Sequence, residues 1–291
     1  MKRTWLTLTS MFVLSLSFVS CNESHFREDK VFAGGLYVKK ADLNKGKQIY
    51  TEFCMPCHGV DGDGKGVAAK AMKVPPRDFT TGVFKFGEVV AGELPHDKHL
   101  YKILEKGLHG TAMLPWDLTE KQMYQVVQYI KTFAPQVWEG KDKKLGEQVV
   151  LTKNPYGPAH KQAAIEAGKK VYHGEAACWS CHKAYAPKAE LAKLADMSQS
   201  DIGEDAYQTK LQETEWGFKN VPPDFTWHSV RSAETVEELF IRLSAGVGGT
   251  AMPSWKGTVT DEQIWALSHY VKYLMDLKDS PERKEFMKGL K

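Results

Sequence analysis

Little in this chain is in excess. Its 39 lysines and arginines face 36 aspartates and glutamates, for a formal net charge of +3 over 291 residues. Lys2 and Arg3 supply two of those charges and sit in what reads as a leader. Such a balance gives no electrostatic case for nucleic-acid binding, which uses a strong basic stripe, so no nucleic acid is expected as a partner. No stretch alternates apolar and polar residues for long, which argues against a large sheet. No apolar run reaches the roughly 20 residues that span a bilayer; Trp5 to Val19 comes nearest, at about fifteen. The hydrophobic share of 42% rules out a disordered chain. Cysteine is scarce too. There are five, and Cys54, Cys57, Cys178 and Cys181 all lie in two five-residue motifs, CMPCH and CWSCH. That leaves Cys21 near the N-terminus and no spare thiol in the globular part.

The basic start followed by a short apolar stretch reads as an export signal. It closes on SFVSC, and a small residue before a cysteine at that place resembles a bacterial lipoprotein signal. The resemblance implies removal of residues 1–20 and lipid on Cys21, with the protein exported, periplasm-facing and held to a bacterial membrane. Phe18 departs from the usual Leu of that pattern. The polar stretch 21–42 is expected to be a tether.

The two halves of the remainder match at five places in the same order. KGKQIYTEFCMPCH (45–58) resembles AGKKVYHGEAACWSCH (167–182), and VPPRDFT (74–80) resembles VPPDFT (221–226). LYKILEKGLHGTAMLPW (100–116) resembles LFIRLSAGVGGTAMPSW (239–255), and TEKQMYQVVQYIK (119–131) resembles TDEQIWALSHYVK (260–272). A glycine four residues before a tyrosine precedes each cysteine motif: Gly46 with Tyr50, and Gly168 with Tyr172. Two homologous domains are expected, at 43–135 and 161–278, with a charged linker at 136–160 and a solvated charged tail at 279–291. Met123, Val126, Val127 and Ile130 fall at helical spacing, as do Ile264, Leu267, Val271 and Leu274. Thr119 with Gln122, and Thr260 with Gln263, predict capping boxes. Gly107 and Gly246 predict helix C-caps. The expected class is all-α.

Three chemistries use a close cysteine pair. A structural zinc site wants its second pair about 15 to 20 residues away, whereas here it lies in another domain. A thioredoxin-like dithiol needs no following histidine. Covalent haem attachment uses every residue of Cys-x-x-Cys-His: two thiols add to the two vinyl groups, and the histidine reaches the iron. The repeat favours this third reading, with Cys54, Cys57 and His58 for one haem and Cys178, Cys181 and His182 for another.

The order helix, Cys-x-x-Cys-His, loop, helix, Met loop, helix resembles the class I cytochrome c fold, present twice. The resemblance covers most of the chain and implies a dihaem c-type cytochrome. It assigns the methionine of each GTAM, Met113 and Met252, as the second axial ligand of its iron. It also implies that a proline carbonyl, from Pro75–Pro76 or Pro222–Pro223, orients each ligating histidine, and that Gly46 with Tyr129 and Gly168 with Tyr270 form close helix crossings. Trp116 and Trp255 are candidate donors to haem propionates. His109 has no counterpart in the second copy, where Gly248 stands, and is expected at the surface. GVDGDGKG (59–66) lacks the ending of a P-loop and the distal Glu of an EF-hand, so it reads as a turn over the haem edge. The second copy replaces it with a longer charged insertion, 183–220.

The function implied is electron transfer through two His/Met haems. A quinol-oxidising complex or a dehydrogenase would be the donor, and a terminal oxidase, a reductase or another cytochrome the acceptor. The alternatives are a haem enzyme (a dihaem peroxidase or a sulfur-compound dehydrogenase) or a cytochrome subunit of a larger respiratory complex. A peroxidase needs an iron that opens, and a thiosulfate-type oxidase a cysteine ligand that only Cys21 could supply. Two intact Met loops argue against both.

Overall fold

The computed structural model describes residues 24–290; the expected leader 1–20 and Cys21 lie outside them. Residues 30–42 do not form the tether expected from their polarity. β1 (Lys30–Phe32) and β2 (Leu36–Val38) pair antiparallel, Phe32 against Leu36 and Lys30 against Val38. Phe32, Ala33 and Val38 bury against Leu43, Ala134 and Trp138. Three residues per strand are too few for alternation to register as a signal, so the burial of Phe32 and Val38 decides the matter.

The first domain follows. α1 (Lys40–Ile49) runs through a π-helical turn at Tyr50–Cys54 into the short α2 (Met55–His58). α3 (Asp97–Lys106) ends at Gly107, whose positive φ of 65° turns the chain into the Met113 loop. α4 (Glu120–Lys131) starts at the expected capping box: Gln122 N–H donates to Thr119 Oγ1 at 3.3 Å and Thr119 N–H to Gln122 Oε1 at 2.9 Å. α4 crosses α1 at Gly46. A Cβ there would stand 2.7 Å from the Gln125 carbonyl carbon and 2.9 Å from Tyr129 Cβ, so only glycine permits the approach.

The stretch expected as a linker is mostly a strap on the first domain. α5 (Pro135–Trp138) buries Trp138. Gly34 N–H then donates to Lys143 O, Gly146 N–H to Leu94 O and Val149 N–H to Glu88 O, at 2.9, 2.8 and 3.1 Å. The chain next docks on the second domain, where the Trp265 indole donates to Thr152 Oγ1 at 3.1 Å. Its charges face outward while its backbone pairs inward, which composition alone does not reveal.

In the second domain α6 (Lys161–His173) ends before the second cysteine motif. The insertion carries α7 (Lys188–Leu194) and a two-stranded hairpin, β3 (Gln212–Glu213) with β4 (Lys219–Asn220). It has a small core of its own around Leu191, Ile202 and Ala206. α8 (Val236–Ala245) opens on a capping box that the sequence reading missed, Thr235 with Glu238, and ends at Gly246, φ 75°. α9 (Asp261–Asp276) opens on the expected Thr260–Gln263 box and packs on α6 at Gly168. The tail is not wholly solvated: α10 (Glu282–Lys288) is held by Arg283 Nε donating to Thr226 O at 2.6 Å, and Phe286 packs on the core. Helices therefore dominate both domains, the all-α class expected, and the sheet content among the described residues is two small hairpins. Among the described residues no helix is long and apolar enough to cross a membrane.

Candidate functional site

The first site forms where α2 meets the Met113 loop. Cys54, Cys57, His58 and Met113 line one cavity, with Leu100, Leu104, Val127 and Ile130 closing its apolar side. His58 Nδ1 stands 3.0 Å from the Arg77 carbonyl oxygen. A carbonyl only accepts, so Nδ1 carries the proton and Nε2 keeps a free lone pair, the form a metal takes. Burial lowers the His58 pKa and so favours that neutral ring. Phe79 stacks on the imidazole at 4.5 Å between centroids and fixes its plane.

The second site repeats this bond for bond. His182 Nδ1 stands 3.2 Å from the Pro223 carbonyl oxygen, and Phe225 stacks on the ring at 4.8 Å. Burial pushes His182 down to about 4, so it too is neutral at pH 7. The proline expected to orient each histidine is found in one copy only. Counted back from the shared Asp-Phe-Thr, Arg77 occupies the place of Pro223, because VPPRDFT is one residue longer than VPPDFT. What matters is the backbone carbonyl two residues before the phenylalanine, which any residue supplies.

The loops carrying the methionines match as closely. Met113 N–H donates to Thr111 Oγ1 and Met252 N–H to Thr250 Oγ1, at 3.1 and 3.2 Å. Each threonine hydroxyl donates back to a carbonyl, Leu108 or Val247, at 2.7 Å. Leu108 N–H reaches Met113 O at 2.8 Å and Val247 N–H reaches Met252 O at 3.0 Å. GTAM is thus a locally tied turn that presents its methionine from a fixed backbone. Tyr50 and Tyr172 tie the other end: their hydroxyls donate to the carbonyls of Gly59 and Lys183, the residues after the two histidines, at 2.7 and 2.8 Å.

The thiols do not suit a redox dithiol. Burial pushes Cys54 and Cys178 up to about 12, so both are protonated at neutral pH rather than thiolate. Among the described residues no group of three or more His, Cys, Asp or Glu is placed to hold a metal ion. A covalent haem fits what is present: two cysteine sulfurs, a neutral imidazole with Nε2 free, an apolar cavity and a soft thioether on its wall. The Trp255 indole N–H is buried with no acceptor among the described residues, and Trp116 lines the first cavity. His109 is half-exposed and pairs with Glu234 of the second domain at 2.7 Å, which takes it away from any ligand role. Of the remaining methionines, Met123 is buried in the core of the first domain and Met275 packs against the core of the second. Met72 lines the first cavity and Met197 is exposed. Cys21 lies outside the described residues.

The sequence reading missed four residues that line the first cavity: Arg77, Lys85, Phe218 and Arg231. The last two belong to the second domain. The one signal available was the difference between the copies, with Gly248 where the first has His109. Gly248 N–H donates to Lys85 O at 3.2 Å, and a side chain there would strike the Phe84 carbonyl.

Comparison with known proteins agrees with this geometry. A family model described as Cytochrome c matches residues 43–134. One described as Cytochrome C oxidase, cbb3-type, subunit III matches residues 163–271. Among solved structures, the chain is similar to a chain of the Kuenenia stuttgartiensis reducing HAO-like protein complex Kustc0457/Kustc0458. The identity is 32% and the TM-score 0.64, over 79% of this chain and 95% of that one. No curated protein matches it.

Proposed function

The chain belongs to the c-type cytochromes, with two such domains in tandem and two covalently bound haem c groups, and on that premise we propose that both haems sit in closed His/Met sites. In this reading Cys54, Cys57, His58 and Met113 hold the first haem, and Cys178, Cys181, His182 and Met252 the second. Bound haem supplies one-electron exchange at iron. The chain's own residues keep each site fit for that and little else. Arg77 O and Pro223 O hold the Nδ1 protons of the two histidines, which leaves Nε2 as the donor atom. The tied GTAM turns keep a neutral thioether in place, which favours ferrous iron and raises the potential. The apolar wall of Leu100, Leu104 and Ile130 excludes water. The observation that carries the reading is the meeting of Cys54, Cys57, His58 and Met113 in one apolar cavity. The test is exposure of the reduced, matured protein to carbon monoxide. The wild type should not bind it, whereas Met113→Ala and Met252→Ala should each open one iron to it. Ready binding by the wild type would bring a catalytic haem forward instead.

The protein would work as a relay between redox proteins, through small transient interfaces. The donor would be a quinol-oxidising complex or a dehydrogenase, and the acceptor an oxidase, a reductase or another cytochrome. Lipid on Cys21 would keep it beside membrane-bound partners in the periplasm. One observation favours a narrower role. The solved relative is part of a reducing HAO-like protein complex, and a likeness over 95% of that chain suits a cytochrome subunit held in a fixed assembly. Purification from native membranes would decide between the two: a partner at constant ratio supports the subunit, and a lone chain supports the mobile relay.

A further inference from the structure

Three cationic side chains line the first cavity: Arg77 and Lys85 from the first domain and Arg231 from the second. Among the described residues none of them is in an ion pair, and their side chains make no hydrogen bond. The carboxylate beside Arg77 is its chain neighbour Asp78, which already accepts from the Thr80 N–H and hydroxyl at 2.8 and 2.6 Å. Lys85 stands in the field of both Arg77 and Arg231. Like charges gathered in a partly buried place are costly unless an anion joins them.

The cluster is built. Trp216, between β3 and β4 of the insertion, lies under it, with Arg77 Cζ 3.6 Å and Lys85 Nζ 5.4 Å from its ring centroid. Its indole donates to Thr81 Oγ1 of the first domain at 3.3 Å. Phe218, two residues on, lines the cavity itself. Gly249, in the loop that carries Met252, backs the ring: a Cβ there would stand 2.5 Å from Trp216 Cζ2. One surface of the second domain, made by the insertion hairpin and the Met252 loop, thus closes over the first domain's cavity.

We propose that Arg77, Lys85 and Arg231 bind the propionate carboxylates of the first haem, so that the second domain completes the first domain's cofactor site. The insertion 183–220 then serves as the clamp that holds Trp216 and Phe218 against that haem. The inference rests on Cys54, Cys57 and His58 holding the haem. Arg231 sets the charge beside the cofactor it binds. A cation near the propionates favours ferrous iron, the state with one positive charge fewer, so its loss lowers the potential of the first haem.

The experiment is an optical redox titration of the full, matured chain carrying Arg231→Leu. The first haem's wave is assigned as the one that Met113→His moves. It should shift to lower potential by about tenfold in the oxidised-to-reduced ratio, which is about 59 mV for one electron. The second wave should stay in place, and Arg231→Lys should restore most of the shift. Lys85→Gln gives a second reading with the same sign should the leucine variant fail to mature. Glu234→Ala breaks the His109 contact between domains without touching the cavity and should move neither wave. First-haem waves that stay within twofold in both charge variants would overturn the proposal. So would an equal shift from Glu234→Ala, which would assign the effect to domain docking. A haem that binds carbon monoxide would sink the closed-site reading and leave these shifts unaffected.

Discussion

Gly168→Ala sets two opposed effects against each other, and the structure decides between them. In an exposed helix interior, alanine for glycine gains about 0.8–1.0 kcal/mol of helix propensity. At Gly168 the new Cβ would stand 2.6 Å from the Ala266 carbonyl carbon and 2.7 Å from Tyr270 Cβ, where ordinary contact begins at 3.4 Å. The helices would have to part by about 0.7 Å or more, and the obstacles on α9 are its backbone and a Cβ, neither of which can rotate away. Overpacking of this kind costs about 1–3 kcal/mol, and a rigid obstacle belongs at the upper end. The net expectation is a loss of about 2 kcal/mol, or roughly 4–8 °C in Tm for a chain of this size. The displacement also reaches the site, because Tyr172 lies one turn on and ties the carbonyl after His182. Thermal unfolding of the matured protein, followed by circular dichroism at equal haem content, reads the effect. A Tm equal to or above that of the wild type would refute the argument, since propensity would then have won.

Other expectations are simpler to state. Thr119→Ala removes one half of the α4 capping box and should cost about 1 kcal/mol in chemical denaturation, with no change in the haem spectrum. Glu88 is pushed up by burial, but hydrogen bonds from His99 and Lys102 and the Lys102 charge outweigh that and hold it at about 2. Its folded pKa is depressed, so its contribution is complete above the unfolded value near 4.5 and is lost as pH falls towards 2. Glu88→Gln should therefore flatten the acid limb of the stability curve between those values. His109→Ala should leave both haem spectra unchanged, because His109 touches Glu234 and not a haem pocket; a lost ligand signal would reverse that assignment.

What the sequence revealed, it revealed through repetition and local rules. The capping boxes at Thr119 and Thr260 and the C-caps at Gly107 and Gly246 are each written in a few adjacent residues, and all four are present. The helix crossings at Gly46 and Gly168 were legible through the resemblance to the class I cytochrome c fold. What stayed hidden was tertiary. Nothing local says that Phe32 and Val38 will fold a hairpin onto Trp138, or that the charged stretch after Trp138 will strap back along Leu94 and Glu88. Nor does any local pattern send Trp216 across to Arg77. The copies' differences hold that information, since Gly248–Gly249 in place of His109–Gly110 marks where the second domain meets the first. The histidine partner is a related case. The rule is a carbonyl at a fixed offset from Phe79 or Phe225, and expecting proline mistook the usual residue for the requirement.

The most direct test of the account is the optical redox titration of the matured, unaltered protein, followed through both haem bands. Two low-spin haems with positive midpoint potentials are the predicted result, as two neutral imidazoles and two tied thioethers would give. A high-spin band from either haem, or a strongly negative midpoint, would contradict His/Met ligation at that site and with it the proposal that this chain is a carrier.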